Sequence, residues 1–469
     1  MSDLHQLDAQ QLADGYARGD FTPSEATEAV LAQIGRREPQ LGALYAFDAE
    51  AAREQAAASS ARWRAGAPLS PLDGVPGTLK ENIATRGCPM PAGTAATELL
   101  PQPADAPPAA RWREAGLVLL AKTTMPDWGM LSSGLSSFHQ LARNPWDPRF
   151  NPGGSSAGAG TAAAAGYGPL HLGTDIGGSI RLPAGWCGLV GLKPSAGRLP
   201  IKPPYVGRVA GPMTRSVRDA AWMMALLARP DPEQRDPTAL PPADIPWLDL
   251  QAERDPAELL RGLRLGLQLD AGWGLPVEPE TRNAISAAAR TLAAAGATVV
   301  EVKPFSTREM MDGLDRFWRM RSWLDFQALP AERRAKVLPY IQRWVEPAAA
   351  FGGPQVFHGF SQIAAFRDAA LGAIQGLDFV LSPTSPVPSF PAEWAGPTND
   401  PEQPLEHIAF TVPYNMSEQP AVSIHAGFTS SGLPIGLQIA GQRFDDLGVL
   451  RLAAVWERLR PAMPAWPMG

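Results

Sequence analysis

Ser155 and Ser179 stand in two glycine-backed turns, Asn151-Pro-Gly-Gly-Ser-Ser-Ala-Gly-Ala-Gly160 and Gly173-Thr-Asp-Ile-Gly-Gly-Ser-Ile-Arg181, 24 residues apart. Upstream, Lys80 lies in Asp73-Gly-Val-Pro-Gly-Thr-Leu-Lys-Glu-Asn-Ile83. A serine hydroxyl is a weak nucleophile until a neighbouring base takes its proton. A lysine can be that base if burial or nearby positive charge lowers its pKa from roughly 10.4 towards about 7–8. Two serines and a lysine so arranged read as a hydrolytic nucleophile with an unusual proton relay. A lysine taken alone is ordinarily a solvated surface charge. Here Gly-Thr-Leu precedes Lys80 and Asn82-Ile83 follows it, which predicts the end of a short buried strand.

The turn from Asp175 to Ser179 presents successive backbone N–H groups, preset donors of the kind that stabilise the oxyanion of a tetrahedral intermediate. Gly177 and Gly178 permit positive φ and close approach of backbone to substrate. A plain glycine turn between strand and helix is the bland alternative. Ser179 directly after Gly-Gly, with Arg181-Leu-Pro-Ala184 behind it, is a rarer combination. Gly153-Gly154-Ser155-Ser156 runs into the helix-favouring Thr161-Ala-Ala-Ala-Ala165, so it predicts a helix entry and not a flexible linker.

These blocks resemble the amidase signature family. The resemblance covers most of the chain and is densest from about Leu72 to Thr214, taking in Asn144-Pro-Trp-Asp147, Cys187-Gly-Leu-Val-Gly-Leu-Lys-Pro194 and Gly211-Pro-Met-Thr214. It resumes at Asp378-Phe-Val-Leu-Ser-Pro-Thr-Ser-Pro386 and Gly432-Leu-Pro-Ile-Gly-Leu-Gln438. It implies an α/β fold with a large mixed β-sheet core covered by helices on both faces. It implies Ser179 as the acylated nucleophile, Ser155 as a bridging serine preceded by a cis peptide bond, and Lys80 as general base and acid. The oxyanion donors would be the backbone N–H groups of Ile176, Gly177, Gly178 and Ser179. Asp175 and Arg181 would fix the turn from behind, and Ser132 would lie near the substrate. No metal or other cofactor is implied. Ala157, Leu131, Glu418 and His425 depart from the family pattern; none removes a catalytic group, so they bear on the substrate and not on the reaction.

The remaining composition sets bounds. At 469 residues and a formal charge of −6, the chain is long enough for a large core and carries no basic footprint for nucleic acid. The N-terminal Met1-Ser-Asp-Leu-His lacks the basic and apolar regions of a signal peptide, and no run of about 18 apolar residues predicts a membrane span. Cys88 and Cys187 suggest no disulfide framework. The expected partner is a small-molecule amide or carbamate, with no nucleic acid and no membrane, the chain being a cytoplasmic monomer or homodimer. One amidase domain is expected over 1–469: an N-terminal helical region 1–65, a signature core 66–228, a connector and variable pocket region 229–376, and a C-terminal part of the core 377–469.

Thr22-Pro-Ser-Glu25 is a capping box leading into a helix over Ala26–Arg36. Leu117–Leu120 predicts a buried strand, Val217–Leu227 a helix, and Asn283–Ala295 a helix before a strand at Ala297–Val302. The proline-rich stretch Arg229–Pro246 predicts a surface connector. Beyond it lie Met310, Met311, Phe317, Trp318, Trp323, Phe326 and Trp344. Their spacing favours helix packing, with an apolar pocket wall between about Pro304 and Phe366 as the functional alternative.

Three rival readings remain. Gly154-Ser-Ser-Ala-Gly158 satisfies G-x-S-x-G with Ser156 as nucleophile of a Ser-His-Asp esterase, but a proline-broken loop precedes it where a buried strand is needed. A scaffold without activity is opposed by intact Lys80, Ser155 and Ser179. Within the resembled family, the alternative is the glutamine-hydrolysing subunit of a tRNA-dependent amidotransferase, which needs partner subunits.

Overall fold

The short apolar runs between the motif blocks become the strands of one sheet. The computed structural model describes residues 3–469; Met1 and Ser2, at the head of the stretch read for a leader, lie outside the described residues. The strands are β1 (Leu44–Tyr45), β2 (Pro76–Lys80), β3 (Val118–Thr123), β4 (Leu170–Asp175), β5 (Val190–Lys193) and β6 (Val209–Thr214). They continue as β7 (Arg264–Leu267), β8 (Thr298–Glu301), β9 (Phe379–Pro383), β10 (Ala421–Phe428) and β11 (Pro434–Gly441). Their spatial order is β1-β3-β2-β4-β6-β5-β10-β11-β9-β7-β8. Parallel pairs (β2 with β3 and β4, β7 with β8 and β9) flank an antiparallel middle, so the sheet is mixed as expected.

Both faces are covered, and side-chain alternation along the central strands shows how. Val422 and Ile424 of β10, with Leu437 and Ile439 of β11, enter the main core beside Val449, Leu450 and Trp456 of the helix Asp446–Leu459. The intervening residues face the other way, onto the helix Arg181–Cys187. There Gly436 has no room for a side chain, because a Cβ would lie 2.7 Å from Gly185 Cα. This close approach seats the helix carrying Arg181 against the sheet.

Local signals hold where they were strong. The capping box forms, with Glu25 N–H donating to Thr22 Oγ1 at 3.2 Å and Thr22 N–H to Glu25 Oε2 at 2.8 Å, and the helix runs from Pro23 to Leu41. The helix Val217–Leu227 matches its expected bounds. The other helix extends over Pro279–Ala294, and the expected strand Leu117–Leu120 sits at Val118–Thr123. Arg229–Pro246 carries no helix or strand.

The Gly436–Gly185 contact yields a stability test. Gly436→Val inserts atoms where backbone already sits, and overpacking of this kind typically destabilises by about 1–3 kcal/mol. A clear drop in the thermal midpoint is expected; an unchanged midpoint would mean that the helix is not pinned there.

Candidate active site

β2 and β4 are parallel neighbours, with Leu79 opposite Leu172, so Lys80 and Asp175 emerge from the same C-terminal edge of the sheet. Open sheets present their ligand sites at that edge. All five residues of β2 are buried, and Lys80 is fully so. Its Nζ lies 2.7 Å from Ser155 Oγ. Burial, and then the positive charge of Arg208, push the ammonium form well below the ordinary lysine range, against the opposing pull of Asp175 and Glu81. Lys80 therefore has the character of a neutral amine that can accept a proton. The Gly154–Ser155 peptide is cis, and the helix Ala157–Ala164 starts just beyond it.

Ser156 is occupied otherwise. Its Oγ donates to Thr174 O at 3.1 Å and accepts from Thr174 N–H at 3.2 Å, while its N–H donates to Ser179 O. These bonds staple the two serine turns together and leave Ser156 fully buried. Among the described residues, no histidine lines the cavity at Ser155 and Ser179. The esterase reading thus lacks both a free nucleophile at Ser156 and a base.

The turn from Ile176 to Ser179 is held by Asp175. Asp175 Oδ1 accepts from Gly178 N–H at 2.8 Å, and Oδ2 from Ile180 N–H at 3.1 Å. This corrects one expectation: the Gly178 N–H points back to the carboxylate and is not free for an oxyanion. The N–H groups of Ile176, Gly177 and Ser179 have no acceptor among the described residues. Gly178 instead provides the turn itself, at φ +129°, where a Cβ would strike Thr411 Oγ1 at 2.6 Å.

Asp175 is in turn gripped by Arg181, both side chains fully buried. Arg181 Nη2 reaches Oδ1 and Nε reaches Oδ2, each at 3.0 Å. Burial alone would raise the Asp175 carboxyl, but Arg181 and the Asn415 amide hold it far below the usual carboxylate range. The rest of the guanidinium donates to Thr411 O (2.8 Å), Gln438 Oε1 (2.7 Å) and Asn415 Oδ1 (2.6 Å). Asn415 closes the circuit by donating to Asp175 Oδ1 at 2.8 Å, and Thr411 Oγ1 donates to Gly177 O at 2.6 Å. Sequence reasoning gave Thr411, Asn415 and Gln438 no role, although Gln438 ends one of the motif blocks; only the fold brings them to residue 175.

The cavity has two lobes that meet at Gly129, Ile176, Ser179 and Arg321. One is walled by Met130, Leu131, Trp318, Trp344, Leu405 and Ile408, with Ser132 on its rim. The other, about 320 Å³, holds Ser155 with Asn82, Trp128, Tyr205 and Arg208. Of the seven large residues singled out beyond the connector, Trp318 and Trp344 line a lobe, while the others pack into the apolar cluster behind it. Helix packing thus accounts for all seven, and two of them also face the cavity. Arg208 and Arg321 escape sequence reasoning because neither lies in a motif block.

A family model described as Amidase matches residues 25–450. One of the subunits of glutamyl-tRNA(Gln) amidotransferase, from Myxococcus xanthus (strain DK1622), is 35% identical, covering 97% of each chain. Among solved structures, a bacterial aryl acylamidase of the amidase signature enzymes superposes with a TM-score of 0.89 at 30% identity over 98% of both chains. A 6-aminohexanoate cyclic dimer hydrolase complexed with substrate gives 0.87 at 26% identity over the whole of both.

The Asp175–Arg181 pair makes a direct prediction. Asp175→Asn strands a fully buried guanidinium, and breaking a buried pair from one side costs about 3–5 kcal/mol. The variant should lose several degrees of thermal midpoint along with activity. A variant as stable as the parent would show that the guanidinium does not depend on Asp175.

Proposed function

The chain belongs to the amidase signature family and is a hydrolase of C–N bonds, and we propose that it works through a Ser179–Ser155–Lys80 relay. The observation that carries this reading is the 2.7 Å contact between a buried lysine and Ser155, with Ser155 and Ser179 lining one cavity. Neutral Lys80 takes the proton of Ser155, and Ser155 takes that of Ser179 as its Oγ attacks the amide carbon. The developing oxyanion meets the free N–H groups of Ile176, Gly177 and Ser179. Collapse breaks the C–N bond, and the proton returns through Ser155 to the departing nitrogen. Water, deprotonated by the same relay, then releases the acid from Ser179.

The Trp318–Trp344 lobe supports an apolar acyl group, since a buried ring contributes several kcal/mol by area alone. A second reading, the glutamine-hydrolysing subunit of a tRNA-dependent amidotransferase, is favoured over the first by the names of the curated relatives. On that reading the chain needs partner subunits and serves a nucleic-acid substrate. Kinetics of the isolated chain separate the two. With an apolar acyl lobe, kcat/KM for benzamide should exceed that for acetamide and glutamine by about a hundredfold. Glutamine matching or beating benzamide would establish the second reading instead.

The relay has its own tests. A fluorophosphonate should label Ser179 alone on peptide mapping; labelling at Ser156 would overturn the assignment. Lys80→Ala and Ser155→Ala should each lose several orders of magnitude in kcat, and the double variant little more, because the relay acts as a unit. As the base is an amine with a lowered pKa, kcat/KM should rise with pH as the proton leaves. The rise should be complete well below the ordinary lysine value of roughly 10.4. Near-normal turnover of Lys80→Ala at neutral pH would sink the relay.

A further inference from the structure

Arg208 and Arg321 line the lobe that contains Ser155, and neither has a carboxylate within ion-pair distance among the described residues. Arg208 is half-buried and spends two donors on backbone, Nη1 to Pro203 O at 2.8 Å and Nη2 to Asn82 O at 3.3 Å. Arg321 stacks over the Tyr205 ring at 5.0 Å, and its Nε is buried without a partner. Two carboxylates line the same lobe. Asp175 is taken by Arg181, and the exposed Asp325 interacts with Arg321 through its charge without coming within ion-pair distance. Burial and then the neighbouring Arg321 pull Arg208 down to about 10, so it stays charged at neutral pH. Two like charges held beside one cavity, with donors left over, call for an anion from outside the chain.

The position of Ser155 says which end of the substrate carries it. In the proposed relay Ser155 hands its proton to the nitrogen, so the departing amine must lie in the lobe that Ser155 lines. The acyl group then occupies the Trp318–Trp344 lobe, which lacks Ser155. We propose that the substrate is an amide whose amine half bears a carboxylate, an N-acylated amino acid in chemical class, gripped by Arg208 and Arg321. The bond broken joins an apolar acyl group to the amine nitrogen, and the amine departs as the free amino acid after taking the Ser155 proton. This rests on the relay reading and deepens it, because glutamine carries its carboxylate on the acyl half and releases only ammonia.

The test compares N-benzoylglycine with N-isobutylbenzamide, in which an uncharged isopropyl group of the same branching replaces the carboxylate. Binding is measured by calorimetry on the Ser179→Ala chain, and turnover on the wild type. Hydrogen bonds to a charged group predict a preference of about 10- to 100-fold for the anionic amide in Kd and in kcat/KM. The ratio should collapse towards one in Arg208→Met and in Arg321→Met, and recover in part in Arg208→Lys. Any effect of Arg208 on Lys80 cancels in the ratio. Equal binding of the two amides, or a preference unmoved by both methionine variants, overturns the proposal, as does tight binding of glutamine with none of N-benzoylglycine. Preferential binding without turnover of either amide sustains the anion site and removes the relay.

Discussion

The structure turns on a single buried ion pair. Arg181 and Asp175 are both shut away from water, an arrangement that stands only when every charge-bearing atom has a partner. That condition is met here by an unusual convergence: Asp175 accepts from Gly178, Ile180, Arg181 and Asn415, and Arg181 is saturated by Asp175, Thr411, Asn415 and Gln438. The acceptors come from residues 175 and 411–438, so the pair ties the turn to a part of the chain more than two hundred residues away. With Asp175 taking the Gly178 and Ile180 N–H groups, those of Ile176, Gly177 and Ser179 are left without an acceptor among the described residues. In the proposed mechanism, donors held in this way would need no reorganisation when charge develops on a substrate oxygen.

A second constraint is the burial of Lys80. An isolated ammonium in the interior is so costly that the group gives up its proton instead. Two features push Lys80 in that direction: β2 is covered along its whole length, and the cationic Arg208 adds repulsion. Asp175 works in the opposite direction, but its charge is committed to Arg181. The same pair that shapes the turn thus limits how strongly a nearby carboxylate can hold the lysine in its charged form.

What could be read from the chain follows the range of the interaction. The Thr22 capping box, the buried strand ending in Lys80 and the strand–turn–helix around Ser179 are local, and each was legible from residue types over a few positions. The mixed sheet was legible only through resemblance, since strand alternation does not order β5 beside β10 or β11 beside β9. The fate of the Gly178 N–H was not legible at all. A glycine in such a turn supplies a donor, but whether it points to substrate or to Asp175 depends on a side chain locked by Arg181. Arg208 and Arg321 were invisible for a related reason: an arginine outside a motif is ordinarily a surface charge, and only the fold reveals that these two share a cavity with no carboxylate close enough to pair with them.

Those two arginines also bring the chemistry of the site into one electrostatic frame. Positive charge beside the cavity disfavours the ammonium form of Lys80, and on the proposed reading it would also favour an oxyanion on the attacked carbonyl and an anionic group on the substrate. The two guanidinium groups act from different positions. Arg208 bonds to the carbonyl of Asn82, two residues past Lys80, and so acts on the base at short range, whereas Arg321 reaches in from the helix Arg308–Ala328 and meets both lobes.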